Sequence, residues 1–224
     1  MLQRTIQTCR RCVDAGYLVR ADPVAGYRGR ASDRVMLVGQ APGRVAVERG
    51  LPFSGPGGRV LQSWLVRAGF AADDFRQQVY LTSLTKCDPG RNPHGGDRKP
   101  SPAELALCRP FLLRELALVR PRIILLVGGM AIEAFLGKCR LEDVVGSGVT
   151  RGEVHLLPLP HPSGVSRWLN DAGHHLLLEQ ALGQLSSWRA ALAEERNARA
   201  SAAERGTLAG ERSATAGNAP SVFS

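Results

Sequence analysis

No stretch of this 224-residue chain is hydrophobic for long enough to span a lipid bilayer. The longest apolar run, residues 123–137, is shorter than the ~20 apolar residues that a spanning helix requires, and it carries Glu133. The first residues, MLQRTIQTCRRC, lack the apolar core of a secretory signal. We therefore expect a soluble protein with no membrane association, located in the cytoplasm and, in a prokaryote, with the nucleoid.

The sequence also lacks the glycine-rich signatures of common nucleotide-binding enzymes. GPGGRV differs from GxGxxG, and no P-loop pattern follows any apolar run, so neither dinucleotide nor NTP binding is supported. The GxSxG elbow of serine hydrolases is absent as well, and we find no internal repeat. Acidic residues are too few to balance the basic ones: 20 Asp and Glu stand against 29 Lys and Arg, a net charge of +9. This excess favours a polyanionic partner such as nucleic acid.

Four short apolar runs alternate with longer helix-like stretches. The runs are rich in leucine and β-branched residues without strict alternation, which is typical of strands buried on both faces; they are RVMLV (34–38), VYLTSL (79–84), RIILLV (122–127) and VHLLPL (154–159). The helix-like stretches are 58–69, 101–119, 129–137 and 174–195. This order predicts a single α/β domain over residues 1–195, with a parallel sheet between two layers of helices and ligand-binding loops at the carboxyl ends of the strands.

Two further local features carry predictions. Ser101 as N-cap, Pro102 at the first helical position and Glu104 three residues on predict a capped helix start, and Pro110 is expected to bend or break that helix. Residues 196–224 are small, polar and aperiodic, so we expect a disordered C-terminal tail.

The five cysteines need an explanation other than disulfides in a reducing compartment. Cys9 and Cys12 form a C-x-x-C pair, Cys87 follows the second apolar run and Cys108 lies in the next helical stretch. Four cysteines in two clusters suit a tetrahedral thiolate site for either zinc or an iron–sulfur cluster. The alternative is a redox pair with two buried cysteines, but the pair precedes any βα unit. Cys139 has no evident partner and is expected to be structural.

The loops after the apolar runs are the expected site of chemistry. They contain GQAPG (39–43), PFSG (52–55) and HPSG (161–164). Backbone amides of a Gly/Pro loop can donate to a carbonyl oxygen or a phosphate, Phe53 can stack on a base, and His161 can stabilise a developing anion. Phe53 could instead be a core residue and His161 a brace of its loop. Their joint position at neighbouring strand ends favours the functional interpretation.

Taken together, these motifs resemble the set found in the uracil-DNA glycosylase superfamily, most closely in its iron–sulfur family 4. The resemblance runs through GQAPG-x6-GLPFSGPGG, YLTSLTKC, SPAELALCRPFL, RIILLVGG and PLPHPSG, in that order. It implies a three-layer α/β/α sandwich with a central four-stranded parallel sheet. It also implies a [4Fe–4S] cluster, and hydrolysis of the N-glycosidic bond of deoxyuridine in DNA as the first step of base-excision repair.

The resemblance assigns roles residue by residue. His161, Gln40 and the backbone of Ala41 are the implied catalytic groups. The residues implied to bind the base are Phe53, Ser83, Gly39 and Gln40. Those implied to contact the DNA are Ser54, Gly55, Ser163, Val165 and Arg167. Those implied to ligate the cluster are Cys9, Cys12, Cys87 and Cys108. The partner implied is uracil-containing DNA, bound by a monomer.

The motifs also depart from the family pattern. Relatives carry a carboxylate at or soon after the first motif, whereas the matching positions here are Ala41, Ala46 and Val47. Ser83 stands where relatives usually have an asparagine that reads the uracil edge, and serine reaches less far. We therefore expect cleavage that depends on stabilising the departing base, with the water placed by Gln40 or by main-chain groups.

These departures leave alternatives open. One is a non-catalytic protein that flips and holds uracil or abasic DNA, and another is a glycosylase for hypoxanthine or xanthine. A third rests on the long basic loop 88–100, because one branch of the superfamily traps DNA covalently through a histidine in this region, which would make His94 a nucleophile. Arg91, Arg98 and Lys99 of the same loop are expected to meet phosphates.

Overall fold

The structure is a computed structural model that describes residues 1–28, 34–72, 75–93, 95–162 and 168–215, with side chains described up to residue 202. Its contacts divide the chain into two compact units, Met1–Ser186 and Ser187–Ser224. None of the helices in the described ranges is both long and apolar enough to cross a membrane.

A six-stranded sheet forms the centre of the first unit. Its strands are β1 (Tyr27–Arg28), β2 (Val35–Gly39), β3 (Tyr80–Ser83), β4 (Ile123–Val127), β5 (Val149–Arg151) and β6 (Val154–Leu159), in the order β1-β3-β2-β4-β6-β5. β3, β2, β4 and β6 run parallel, and β1 and β5 add short antiparallel edges. The four predicted strands and their parallel arrangement are confirmed; the two edge strands are too short to show a pattern in the sequence.

The order of the strands determines where a ligand can bind. From β2 the chain moves to β3 on one side and then crosses to β4 on the other, so that Leu37 of β2 pairs with both Leu81 and Leu125. Reversal of strand order opens a crevice at the carboxyl ends of the parallel strands. The crevice at β2 is therefore bordered by the loops that begin at Gln40, Leu84 and Gly128.

The described chain also contains eight α-helices and two single-turn 3-10 helices. The α-helices are α1 (Leu2–Gln7), α2 (Arg11–Asp14), α3 (Arg44–Arg49), α4 (Pro56–Arg67), α5 (Pro102–Val119), α6 (Gly129–Leu136), α7 (Leu141–Val144) and α8 (Ala172–Thr215), and the 3-10 turns are Phe75–Gln77 and Trp168–Asn170. α4, α5, α6 and α8 correspond to the predicted helical stretches. The short helices α1, α2, α3 and α7 were not predicted.

Helix α5 begins as its sequence predicts and continues where a break was expected. The Ser101 side chain accepts a hydrogen bond from the Glu104 backbone, and the Glu104 side chain accepts one from the Ser101 backbone, which completes a capping box. The expected break at Pro110 is wrong, since the helix runs through it to Val119. Pro110 lies on the exposed side, where the carbonyl that lacks its partner can bind water, while the buried face of the helix stays packed.

The sheet is buried on both faces. On one face Met36, Val38, Ile124 and Leu126 pack with Leu112 and with residues of α5 and α6. The residues in between, such as Leu37 and Leu125, are fully buried as well, and α4 and α8 contribute the buried leucines 61, 65, 178, 182 and 185 to the core. This layered arrangement agrees with the predicted α/β sandwich.

In the second unit α8 continues through Thr215, within the stretch 196–224 for which the sequence predicts a disordered tail. Alanine, glutamate and arginine dominate this stretch, and all three favour helix even without an apolar face. Residues 216–224 lie outside the described part of the chain.

Candidate active site

The ends of β2 and β3 are joined by backbone hydrogen bonds beyond the sheet itself. The Leu84 amide donates to the Gly39 carbonyl at 2.9 Å and the Thr85 amide to the Gln40 carbonyl at 3.2 Å. The Ser83 hydroxyl, which is buried, donates to the Thr85 carbonyl at 2.7 Å. Because its proton is committed to that carbonyl, the Ser83 oxygen offers only lone pairs to a ligand.

Phe53 lies over the end of β2 in a constrained conformation. Its φ is +54°, which is uncommon for a residue with a side chain, and its carbonyl accepts a hydrogen bond from the Arg76 guanidinium at 2.7 Å. A Cβ on Gly39 would come within 2.7 Å of the Phe53 ring, and one on Gly58 within 1.7 Å of the Phe53 carbonyl oxygen. The two glycines thus make room for the ring and for its backbone, so that a half-buried aromatic face is held at the strand end.

His161 follows β6 and packs against the end of β4. A Cβ on Gly128, whose φ is +87°, would lie 3.1 Å from Cδ2 of the His161 ring. One pocket is lined by His161, Gln40, Lys99 and Gly128. Gln40, after β2, and His161, after β6, thus line the same pocket.

The environment of His161 keeps its imidazole neutral near pH 7. The surrounding protein desolvates the ring and lowers the pKa of His161 below the ordinary value of 6.5, although part of the side chain remains exposed. The negative charge of Asp97 acts in the opposite direction. A neutral imidazole donates one N–H, which is the form suited to bind an oxygen that becomes anionic.

Gln40 is oriented by the loop that follows Cys87. Its side-chain Nε2 donates to the Arg98 carbonyl at 3.3 Å. The Arg98 guanidinium in turn makes two hydrogen bonds of 2.8 Å with the Glu104 carboxylate, which is buried and lies in the first turn of α5. Arg98, more than any other cause, lowers the pKa of Glu104 to about 2. The loop is thus attached both to α5 and to the end of β2.

Of the five residues expected to contact DNA, the structure describes two, Ser54 and Gly55. Ser54 is buried, and its hydroxyl donates to the Val45 carbonyl at 3.2 Å, so its side chain serves the loop itself. Gly55 is the N-cap of α4 and has no side chain to compete for the free amides of the first turn. Ser163, Val165, Arg167 and the alternative nucleophile His94 lie outside the described residues.

Four of the five cysteines line one pocket. Cys9 follows α1, Cys12 lies in α2, Cys87 follows β3 and Cys108 is in α5, and Leu18, Leu107 and Phe111 complete an apolar lining. The α1–α2 segment is held against α5 by Arg11, whose guanidinium lies 4.9 Å from the centre of the Phe111 ring. Cys139 is exposed and lies apart from this group, lining the pocket beside His161 instead.

The thiols in this pocket influence one another. Burial, and next the charges of Cys108, Cys12 and Cys9, raise the pKa of Cys87 to about 12. Burial likewise raises the pKa of Cys108 to about 11, while its sulfur accepts a hydrogen bond from the Lys86 amide at 3.2 Å. Four thiolates here would repel each other in an apolar surrounding, so the pocket suits a positively charged metal group that binds all four.

Sequence reasoning missed a buried ion pair between the two sites. The Lys86 ammonium, 1% exposed, donates to the Glu115 carboxylate at 2.7 Å, the Ser83 carbonyl at 2.7 Å and the Thr82 hydroxyl at 2.5 Å. Glu115, fully buried, also accepts from the Tyr80 and Thr82 hydroxyls. The one signal in the sequence was a lysine shortly after the strand that ends at Ser83, in YLTSLTKC.

Comparisons with known proteins bear on this arrangement. The sequence model of the Uracil DNA glycosylase superfamily matches residues 27–181, which include every strand-end loop described above and begin after Cys9 and Cys12. The chain is 33% identical over 152 residues to the type-4 uracil-DNA glycosylase of Archaeoglobus fulgidus, covering 68% of this chain and 70% of that protein. It is 29% identical over 182 residues to the type-4 uracil-DNA glycosylase of Thermotoga maritima, covering 80% of this chain and 88% of that protein. It is 30% identical over 180 residues to the type-4 uracil-DNA glycosylase of Pyrobaculum aerophilum, covering 74% of this chain and 83% of that protein.

Proposed function

The chain belongs to the uracil-DNA glycosylase superfamily and is related to its type-4 members, and we propose that it hydrolyses the N-glycosidic bond of deoxyuridine in DNA. The observation that supports this proposal is that Gln40 and His161 line one pocket at the carboxyl ends of the parallel strands, while the Phe53 ring lies over Gly39. The substrate is uracil-containing DNA, consistent with a net charge of +9. We expect a monomer to carry out the reaction.

Catalysis would rest on stabilising the charges that form as the bond breaks. The flipped uracil stacks on Phe53, and its oxygen gains negative charge as the bond to the sugar lengthens. The neutral His161 imidazole and the backbone amides at Gln40–Ala41 donate to that oxygen. One preorganised donor of this kind is worth about 2.7–4 kcal/mol in the transition state. Phosphates of the DNA offset part of the positive charge on the sugar.

Ser83 provides a physical reason for preferring uracil to cytosine. With its proton donated to Thr85, the Ser83 oxygen can accept but not donate. The N3 atom of uracil carries a proton and can donate to it, whereas the N3 atom of neutral cytosine is an acceptor. A buried acceptor facing another acceptor is unfavourable, so the shorter serine can discriminate against cytosine in place of an amide.

We further propose that Cys9, Cys12, Cys87 and Cys108 hold a [4Fe–4S] cluster. Among the described residues no three cysteine, histidine or acidic side chains converge closely enough to hold a single metal ion. A four-iron cluster does not require such convergence, because each cysteine binds a different iron atom. When bound, the cluster would crosslink α1–α2, the end of β3 and α5. Nothing in the hydrolysis needs electrons, so its role would be structural.

The function is tested with purified protein and a labelled oligonucleotide that contains one uracil, followed by alkali. We expect strand scission at the uracil position, and none with a matched thymine oligonucleotide. Binding without scission would favour the alternative of a non-catalytic uracil-binding protein. Scission only with hypoxanthine or xanthine would assign the other deaminated bases. A DNA adduct that survives denaturation would point to covalent trapping, with His94 as the residue to substitute.

The cluster proposal predicts a brown protein that contains four iron atoms and absorbs near 400 nm. Replacing Cys108 with serine is expected to lower the bound iron and the visible absorbance, since this ligand is buried in α5. Replacing the exposed Cys139 with serine provides the matched control and should leave both unchanged. A colourless protein with one zinc ion, purified without oxygen, would contradict the proposal.

A further inference from the structure

The loop after Cys87 places the Asp97 carboxylate beside the GQAPG turn. Oδ2 of Asp97 lies only 3.0 Å from the position that a Cβ on Gly43 would occupy. Gly43 is the last residue of the motif and the N-cap of α3, so the Asp97 side chain lies directly against the turn that follows β2. The motif's own positions Ala41, Ala46 and Val47 supply no carboxylate.

The backbone of the loop holds Asp97 in place. Arg91 and Asp97 form an antiparallel bridge, the Asn92 amide donates to the Gly96 carbonyl at 3.0 Å, and the Arg98 amide donates to the Gly90 carbonyl at 2.8 Å. The two loop strands therefore pair with each other. The Asp97 carboxylate also lies 2.9 Å from the Arg91 guanidinium, but both side chains are exposed and such a pair is weak. The carboxylate thus stays accessible.

Asp97 is close to both of the groups assigned to catalysis. Its charge acts on His161, where it raises the pKa against the effect of desolvation. The next residue, Arg98, accepts the hydrogen bond that orients the Gln40 side chain. A negative charge beside these groups can stabilise a sugar that becomes cationic.

We propose that Asp97 supplies the catalytic carboxylate of this site, a role that rests on the proposed glycosylase function. As the bond between C1′ and N1 of uracil breaks, its electron pair leaves with the base and C1′ becomes electron-poor. The water oxygen forms the new bond to C1′, and Asp97 accepts one proton of that water, which then passes to solvent or to the uracil anion. Before attack, the same negative charge stabilises the cationic sugar.

Single-turnover rates on a uracil oligonucleotide test this role. Asp97→Asn is expected to slow cleavage at least tenfold, because an amide keeps the size of the side chain but neither takes a proton nor carries charge. Glu48→Gln is the matched control, since Glu48 is an exposed acid of α3 paired with Arg44, and it should keep the wild-type rate.

A structural role for Asp97 makes different predictions. If the residue only shaped the loop, added formate would not restore the rate of Asp97→Ala. Rescue by formate, with unchanged binding of abasic-site DNA, supports a carboxylate at the reacting centre. An active wild type with an equally active Asp97→Asn overturns the assignment of Asp97 alone. A wild type that cleaves no uracil overturns the proposed function and the assignment with it.

Discussion

Replacing Lys86 with methionine is expected to lower the free energy of unfolding by about 3–5 kcal/mol, the usual result of removing one partner of a buried ion pair. The Glu115 carboxylate is fully buried and would lose the positive charge that lies 2.7 Å away. The Ser83 carbonyl and the Thr82 hydroxyl would lose hydrogen bonds at the same time. Urea unfolding followed by circular dichroism, at equal iron content, measures the change.

The double variant Lys86→Met with Glu115→Leu separates charge from packing. Because it leaves no uncompensated charge, it should regain most of the stability that the single variant loses. Lys99→Met is the matched control, since Lys99 is exposed, and it should change stability by less than about 0.5 kcal/mol. A single Lys86→Met protein as stable as wild type would contradict the burial of this pair.

Replacing His161 with alanine is expected to slow the single-turnover cleavage of uracil at least tenfold, and up to a thousandfold. The His161 imidazole lines the pocket and can donate to the departing base while neutral, and a preorganised donor is typically worth a hundredfold to a thousandfold in rate. Affinity for uracil-containing DNA should change little, because the donor acts on charge that develops only in the transition state. Rapid-quench kinetics with excess enzyme measure the step directly.

His175→Ala provides the control for this experiment, since His175 is an exposed histidine of α8. It should cleave at the wild-type rate. A wild-type rate for His161→Ala would remove this residue from the mechanism and leave the backbone amides as the main donors. Equal losses in binding and in rate would instead indicate that His161 only holds the base in the pocket.

The parallel sheet and most of the long helices could be predicted because their signals are local. Strands such as Ile123–Val127 are continuous apolar runs that only a doubly covered sheet can bury. The start of α5 is encoded in four consecutive residues, Ser101 to Glu104, through a capping box. Where the prediction was wrong, at Pro110, packing of the buried face of the helix outweighed the loss of one backbone hydrogen bond.

The family, the strand-end motifs and the four cysteines could be identified without a structure, since each is read from the identity and order of residues along the chain. Which groups meet across large sequence distances depends on the tertiary fold. Asp97 reaches Gly43 from a separate loop, and Lys86 meets Glu115 from the far end of α5. Neither contact leaves a periodic pattern in the sequence, because each depends on how a loop or helix packs against the sheet. The carboxylate absent from the first motif is thus found only in the folded chain.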